Sequence, residues 1–117
     1  GTEAFQNAID HGCAMAELAQ RTAACLSGFQ IVSSASLGIV NFRYCPEGME
    51  DWQADEINRQ IARSVTAGGY AQVFTTELDG KKVLRMCTIN PETTEEDIVS
   101  TIKLIGFTAD KLTERTA

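Results

Sequence analysis

Tyr70-Ala71-Gln72-Val73-Phe74-Thr75-Thr76-Glu77-Leu78-Asp79-Gly80-Lys81-Lys82-Val83-Leu84-Arg85-Met86-Cys87-Thr88-Ile89 sets the turn dipeptide Asp79-Gly80 between two runs rich in apolar and β-branched residues. Both residues of Asp-Gly tolerate positive φ, which two-residue hairpin turns require, so strands are predicted over residues 70–78 and 82–89. Arg85 stands in the middle of the second strand. A long cation in an apolar strand must meet an anion or reach past the sheet to solvent, which leaves two roles open: a structural ion pair or an anion-binding group.

Toward the C-terminus, Asn90-Pro91 ends the strand, and Thr93 with Glu96, or Thr94 with Asp97, can form a capping box ahead of Ile98, Val99, Ile102 and Ile105. A helix begins there. Beyond Gly106 the pattern weakens, and residues 106–117 read equally as a helix extension or a tail. On the N-terminal side, Ile57, Ile61 and Val65 recur at four-residue steps over residues 51–67, a helix closed by Gly68-Gly69 with Asp55, Glu56, Arg59 and Arg63 on its outer face. Before Pro46-Glu47-Gly48, strands are predicted over residues 29–33 and 37–45, turning at Ser34-Ala35-Ser36. In the second of these, Val40, Phe42 and Tyr44 alternate with Ile39, Asn41 and Arg43, giving one apolar and one mixed face.

Residues 4–27 hold no proline and are rich in Ala, Gln, Glu, Leu and Met, which predicts a first helix ending at Ser27-Gly28. Its apolar stripe drifts from Phe5, Ile9, Cys13 and Ala16 to Met15, Leu18, Thr22, Cys25 and Leu26, as expected of a helix that contacts two bodies. The order α-β-β-α-β-β-α then predicts an α+β fold: a two-layer sandwich with a four-stranded, mainly antiparallel sheet and three helices on one face. Residues 1–28 form a linking helix and 29–105 the α+β core of one domain. No element remains to cover the mixed sheet face, so a partner there is expected.

The chain has 117 residues, 44% hydrophobic and 22% charged, enough for one packed core. Its formal charge of −6, with bases scattered apart from Lys81-Lys82, argues against nucleic acid or an anionic membrane as partner. Apolar runs are far too short to cross a bilayer. Gly1-Thr2-Glu3-Ala4 lacks signal-peptide character and an initiator Met, implying a processed protein or a piece of a longer chain. Cys13, Cys25, Cys45 and Cys87 include no C-x-x-C pair and share the chain with a single histidine, so no metal site is expected. Each cysteine sits in an apolar stretch and reads as a reduced, buried residue of a cytoplasmic protein. His11 has no nucleophile at helical spacing, and the acidic clusters Glu50-Asp51 and Glu95-Glu96-Asp97 lie at helix starts, where carboxylates complement the dipole.

Phe29-Gln30-Ile31-Val32, the strand Leu37-Gly38-Ile39-Val40-Asn41-Phe42-Arg43, the Glu56-Ile57-Asn58 helix, and Leu78-Asp79-Gly80 through Val83-Leu84-Arg85-Met86 to Asn90-Pro91-Glu92-Thr93-Thr94-Glu95-Glu96-Asp97-Ile98 together resemble a known domain. It is the small C-terminal domain of the group II pyridoxal-phosphate-dependent amino-acid decarboxylases, a family acting on glutamate, aromatic amino acids, tyrosine, histidine or 2,4-diaminobutyrate. The resemblance runs from about Phe5 to Ile105. It implies a parent carboxy-lyase of fold type I that removes carbon dioxide from an L-amino acid, with pyridoxal phosphate held by a large domain through a lysine that follows a histidine.

No His-Lys pair occurs here, since Gly12 follows His11, so the chain alone is expected to bind no cofactor and to be inactive. The resemblance further implies that the large domain is its partner, that the parent is a homodimer, and, from the family's glutamate-specific members, that Arg85 is the substrate-binding residue, holding the amino acid's carboxylate. Arg43, in the matching strand, is expected to make an interdomain or surface ion pair. The competing reading is a freestanding α+β binding or regulatory module that dimerises or holds a small effector on its uncovered sheet face.

Overall fold

The computed structural model describes residues 1–68 and 72–116. The elements run α1 (Thr2–Ala24), β1 (Phe29–Ser36), β2 (Ile39–Tyr44), α2 (Asp51–Gly68), β3 (Gln72–Leu78), β4 (Lys81–Cys87) and α3 (Glu95–Thr116), in the predicted order. All strand pairs are antiparallel and the sheet order is β1-β2-β4-β3, which puts β2 and β4 at the centre and the tight hairpins at the two edges. α1 packs on β1 and β2, α2 on β3 and β4, and α3 lies against both helices.

Val40, Phe42, Leu84, Met86 and Val73 project from one sheet face into the core, where Ile57, Ile61 and Val65 of α2 and Ile98, Ile102 and Ile105 of α3 meet them. Burying that much branched aliphatic and aromatic surface is the main drive for assembly. α1 contributes Met15 together with Ala16, Ala19 and Ala23, three small residues that let it lie close to its neighbours. At Gly12 the approach to the end of β4 is close: a Cβ there would stand 3.3 Å from the Ile89 Cα. Thr88 Oγ1 donates to the Gly12 carbonyl at 2.8 Å, fixing this crossing of α1 over the end of β4.

Asp79 and Gly80 take φ of 51° and 76°, the two-residue turn that their types favour. α3 starts with the second of the two possible capping boxes: the Thr94 N–H donates to Asp97 Oδ2 and the Asp97 N–H to Thr94 Oγ1, both at 3.0 Å. The helix continues past Gly106 to Thr116.

Several expectations need correction. β1 does not end at Ser33, and the turn is not Ser34-Ala35-Ser36. The Ala35 N–H donates to Gln20 Oε1 of α1, the strand continues to Ser36 through two register irregularities, and Leu37-Gly38 makes the turn with φ of 51° and 81°. α1 stops at Ala24 rather than Ser27. None of the four cysteines is fully buried, and Cys25, just past the end of α1, is exposed, because the alanines of α1 occupy the core instead; all four are free thiols. The expected helix stop at Gly69 and strand start at Tyr70 lie outside the described residues. No helix among the described residues is long and apolar enough to cross a membrane.

Candidate functional site

The face of the sheet turned away from the helices carries the side chains of Ile39, Asn41 and Arg43 from β2, Val83, Arg85 and Cys87 from β4, and Gln72 and Phe74 from β3. Asn41 pairs with Arg85, and Arg85 with Phe74, across three neighbouring strands. Ile39 and Phe74 are exposed, whereas Asn41 is only 6% exposed and Arg43 only 3%. The face is therefore open at Phe74 and filled along β2.

Arg85 is half-buried. Its Nε donates to Asn41 Oδ1 at 3.0 Å, and the Asn41 Nδ2 donates in turn to Ser33 Oγ at 2.7 Å. Among the described residues no carboxylate pairs with Arg85, and its two terminal amino groups have no partner. The structural ion pair open to it from sequence is thus absent among those residues. A guanidinium with an unused pair of parallel donors is suited to a carboxylate or phosphate.

Arg43 behaves differently. Its Nη2 lies 2.9 Å from Asp55 Oδ1 and 3.7 Å from Asp51 Oδ1, so it forms a buried ion pair within the domain, not the expected interdomain or surface pair. The cause is the start of α2, which wedges in where β2 ends. Asp55, expected on the outer face of α2, turns inward to accept from both Arg43 and the Lys82 backbone N–H. Arg43 Nε and Nη1 are buried without a partner among the described residues.

His11 lies at the other end of the molecule, with Nε2 2.5 Å from the Thr93 carbonyl oxygen, a link from α1 to the loop before α3. Asp51 supplements the Arg43 pair, while Thr94 and Asp97 cap α3, so these acidic residues at the helix starts have structural uses. Glu56, whose carboxyl is held below its ordinary value chiefly by a hydrogen bond from Gln60 and then by Arg59 and Arg63, sits on the exposed outer face of α2 away from Arg85. Asn41 and Ser33 are the site residues that sequence reasoning missed. The signal was an amide between the apolar residues Val40 and Phe42; Ser33 carried none, because an irregular register places it opposite Asn41.

The chain is 37% identical over 113 residues to the aromatic-L-amino-acid decarboxylase of Bacillus atrophaeus, a match over 96% of this chain and 24% of that enzyme. Tyrosine decarboxylase 2 of Arabidopsis thaliana is 28% identical over 97% of the chain and 21% of its own length. The crystal structure of Oryza sativa TDC with pyridoxal phosphate and tryptamine superposes with a TM-score of 0.82 at 25% identity, covering 96% of this chain and 24% of that one.

The chain is homologous to the C-terminal part of group II pyridoxal-phosphate-dependent decarboxylases. It spans less than a quarter of the length of these decarboxylases. No family model matches it. The cofactor of this decarboxylase family needs a lysine amine for its imine and a charged group against the ring nitrogen. Lys82 pairs with Glu77 at 3.6 Å, Lys111 with Glu114 at 3.9 Å and Lys81 with Asp51 at 4.0 Å, while Lys103 is exposed on α3. Among the described residues, these surface lysines do not form a site that fits that cofactor.

Proposed function

We propose that this chain is the C-terminal domain of a cytoplasmic, homodimeric L-amino-acid decarboxylase, where it covers one side of the active site and Arg85 holds the carboxylate of the substrate. The observation that carries the reading is the Arg85 guanidinium: half-buried on an open sheet face, unpaired at both terminal amino groups among the described residues, in a chain homologous along 96% of its length to a decarboxylase. Two parallel N–H donors grip a carboxylate and fix its plane, so the amino acid is bound in one orientation. The rest of the parent chain supplies cofactor and chemistry.

The surface supports a large partner. Phe5, Ala8, Ile9, Gly12, Leu37 and Ile89 line an almost wholly apolar hollow of about 420 Å³. Phe5 is 68% exposed, Leu37 74% and Ile89 57%. The hollow involves the first turns of α1, where polypeptide preceding this domain would join, so we assign the preceding large domain as its cover.

The test is Arg85→Ala and Arg85→Lys in the full-length protein, with release of carbon dioxide as the assay. Arg85→Ala is expected to lower kcat/KM by about 100-fold or more, through loss of a charge-assisted bidentate contact, with fold and cofactor content unchanged. Arg85→Lys keeps the charge without the fork and should restore only part of that loss. Unchanged kinetics in Arg85→Ala would remove the assignment.

A further inference from the structure

We infer that Asn41 is a positioning residue that makes Arg85 present its two terminal amino groups, and not its Nε edge, to the substrate carboxylate. The inference deepens the carboxylate role of Arg85 proposed above and rests on it. Asn41 is 6% exposed between Val40 and Phe42, both fully buried, at a position where an aliphatic residue would bury at no polar cost. Its amide is satisfied at both ends, by Arg85 Nε at 3.0 Å and by Ser33 Oγ at 2.7 Å. Arg85 Nε can only donate, so the Asn41 oxygen must face it and the orientation of the amide is fixed. Ser33 reaches Asn41 because β1 slips register on both sides of it, and such irregularities re-aim side chains. The result is a hydrogen-bonded row across β1, β2 and β4, from Ser33 through Asn41 to Arg85.

A guanidinium offers a carboxylate two bidentate edges, one made by Nε with a terminal amino group and one made by both terminal amino groups. With Nε engaged by Asn41, only the second remains. The row also restrains the side chain of Arg85, so that less rotamer freedom is lost when an anion binds.

The experiment compares Asn41→Ala, Asn41→Asp and Ser33→Ala in the full-length protein, measuring KM and kcat for the L-amino acid, inhibition by the product amine, and cofactor content. The product amine lacks the carboxylate, so its inhibition constant reads the rest of the site. Asn41→Ala is expected to raise KM about tenfold, the usual worth of a hydrogen bond to a charged group, and Asn41→Asp further, because a carboxylate beside Arg85 competes with the substrate. Amine inhibition and cofactor content should stay within about twofold of wild type. Ser33→Ala, at an exposed residue, should raise KM more modestly in the same direction, and it carries the test if an Asn41 variant does not fold. KM unchanged in every folded variant of an active protein overturns the inference alone, as does amine inhibition weakening in step with KM. No release of carbon dioxide by the wild-type protein from aromatic, acidic or diamino L-amino acids overturns the decarboxylase reading, and the inference with it.

Discussion

Leu37 holds φ at +51° on the tip of the β1–β2 hairpin, with its side chain 74% exposed. A branched apolar residue gains nothing there: the left-handed conformation strains it and the solvent does not reward its exposure. Asn at this position would complete an Asn-Gly turn that matches the hairpin's twist. Leu37→Asn is therefore expected to stabilise the isolated chain by about 0.5–1 kcal/mol in urea unfolding. A destabilised Leu37→Asn chain would mean that the leucine packs within the domain. Arg85 and Arg43 present a second contrast at this scale. Both lie in central strands, yet one is paired with Asp55 and buried and the other meets, among the described residues, only the oxygen of an amide. The strand patterns Phe42-Arg43-Tyr44 and Leu84-Arg85-Met86 are alike, so the difference was not legible in sequence.

The N-terminal half of α2 is the element that separates those two arginines. Asn58, fully buried, accepts from the Tyr44 N–H at 2.9 Å and donates to the Tyr44 carbonyl at 2.8 Å, replacing the strand partner that Tyr44 loses as β2 ends. Asp55 does the same for the Lys82 N–H at 2.9 Å. Two side chains of one helix thus complete the edges of two strands, which buried backbone groups require. Asn58→Ala should cost about 3 kcal/mol, because it leaves the Tyr44 N–H and C=O unsatisfied inside the core, measurable as a fall in urea midpoint. A loss below about 1 kcal/mol would show that water replaces the amide. The apolar spacing of Ile57, Ile61 and Val65 and the Asp79-Gly80 turn were readable because each depends on residues close in sequence. Asp55 looked like a surface residue for the same reason: its partners Arg43 and Lys82 are remote in sequence.

The whole molecule is one core closed on the helix side, with a sheet face that is filled along β2 and open at Phe74, and an apolar end. The hollow at Phe5, Ile9, Leu37 and Ile89 is a liability for a free domain, since contiguous apolar surface drives association. The isolated chain is expected to self-associate with rising concentration in sedimentation velocity, and Phe5→Asp with Ile89→Asp to return it to a monomer. A wild-type chain that stays monomeric throughout would argue against the hollow as a docking surface.

Sequence by itself determined the order of elements, the β3–β4 turn, the apolar faces of α2 and α3 and the resemblance to the decarboxylases, because these signals come from neighbouring residues or from a linear string of motifs. Only the tertiary structure decided that β2 and β4 sit at the centre, that Arg43 is spent on α2, and that Ser33 and Asn41 line up with Arg85. Those contacts join residues 8 to 44 positions apart, brought together by burial of a shared core whose geometry no single segment specifies.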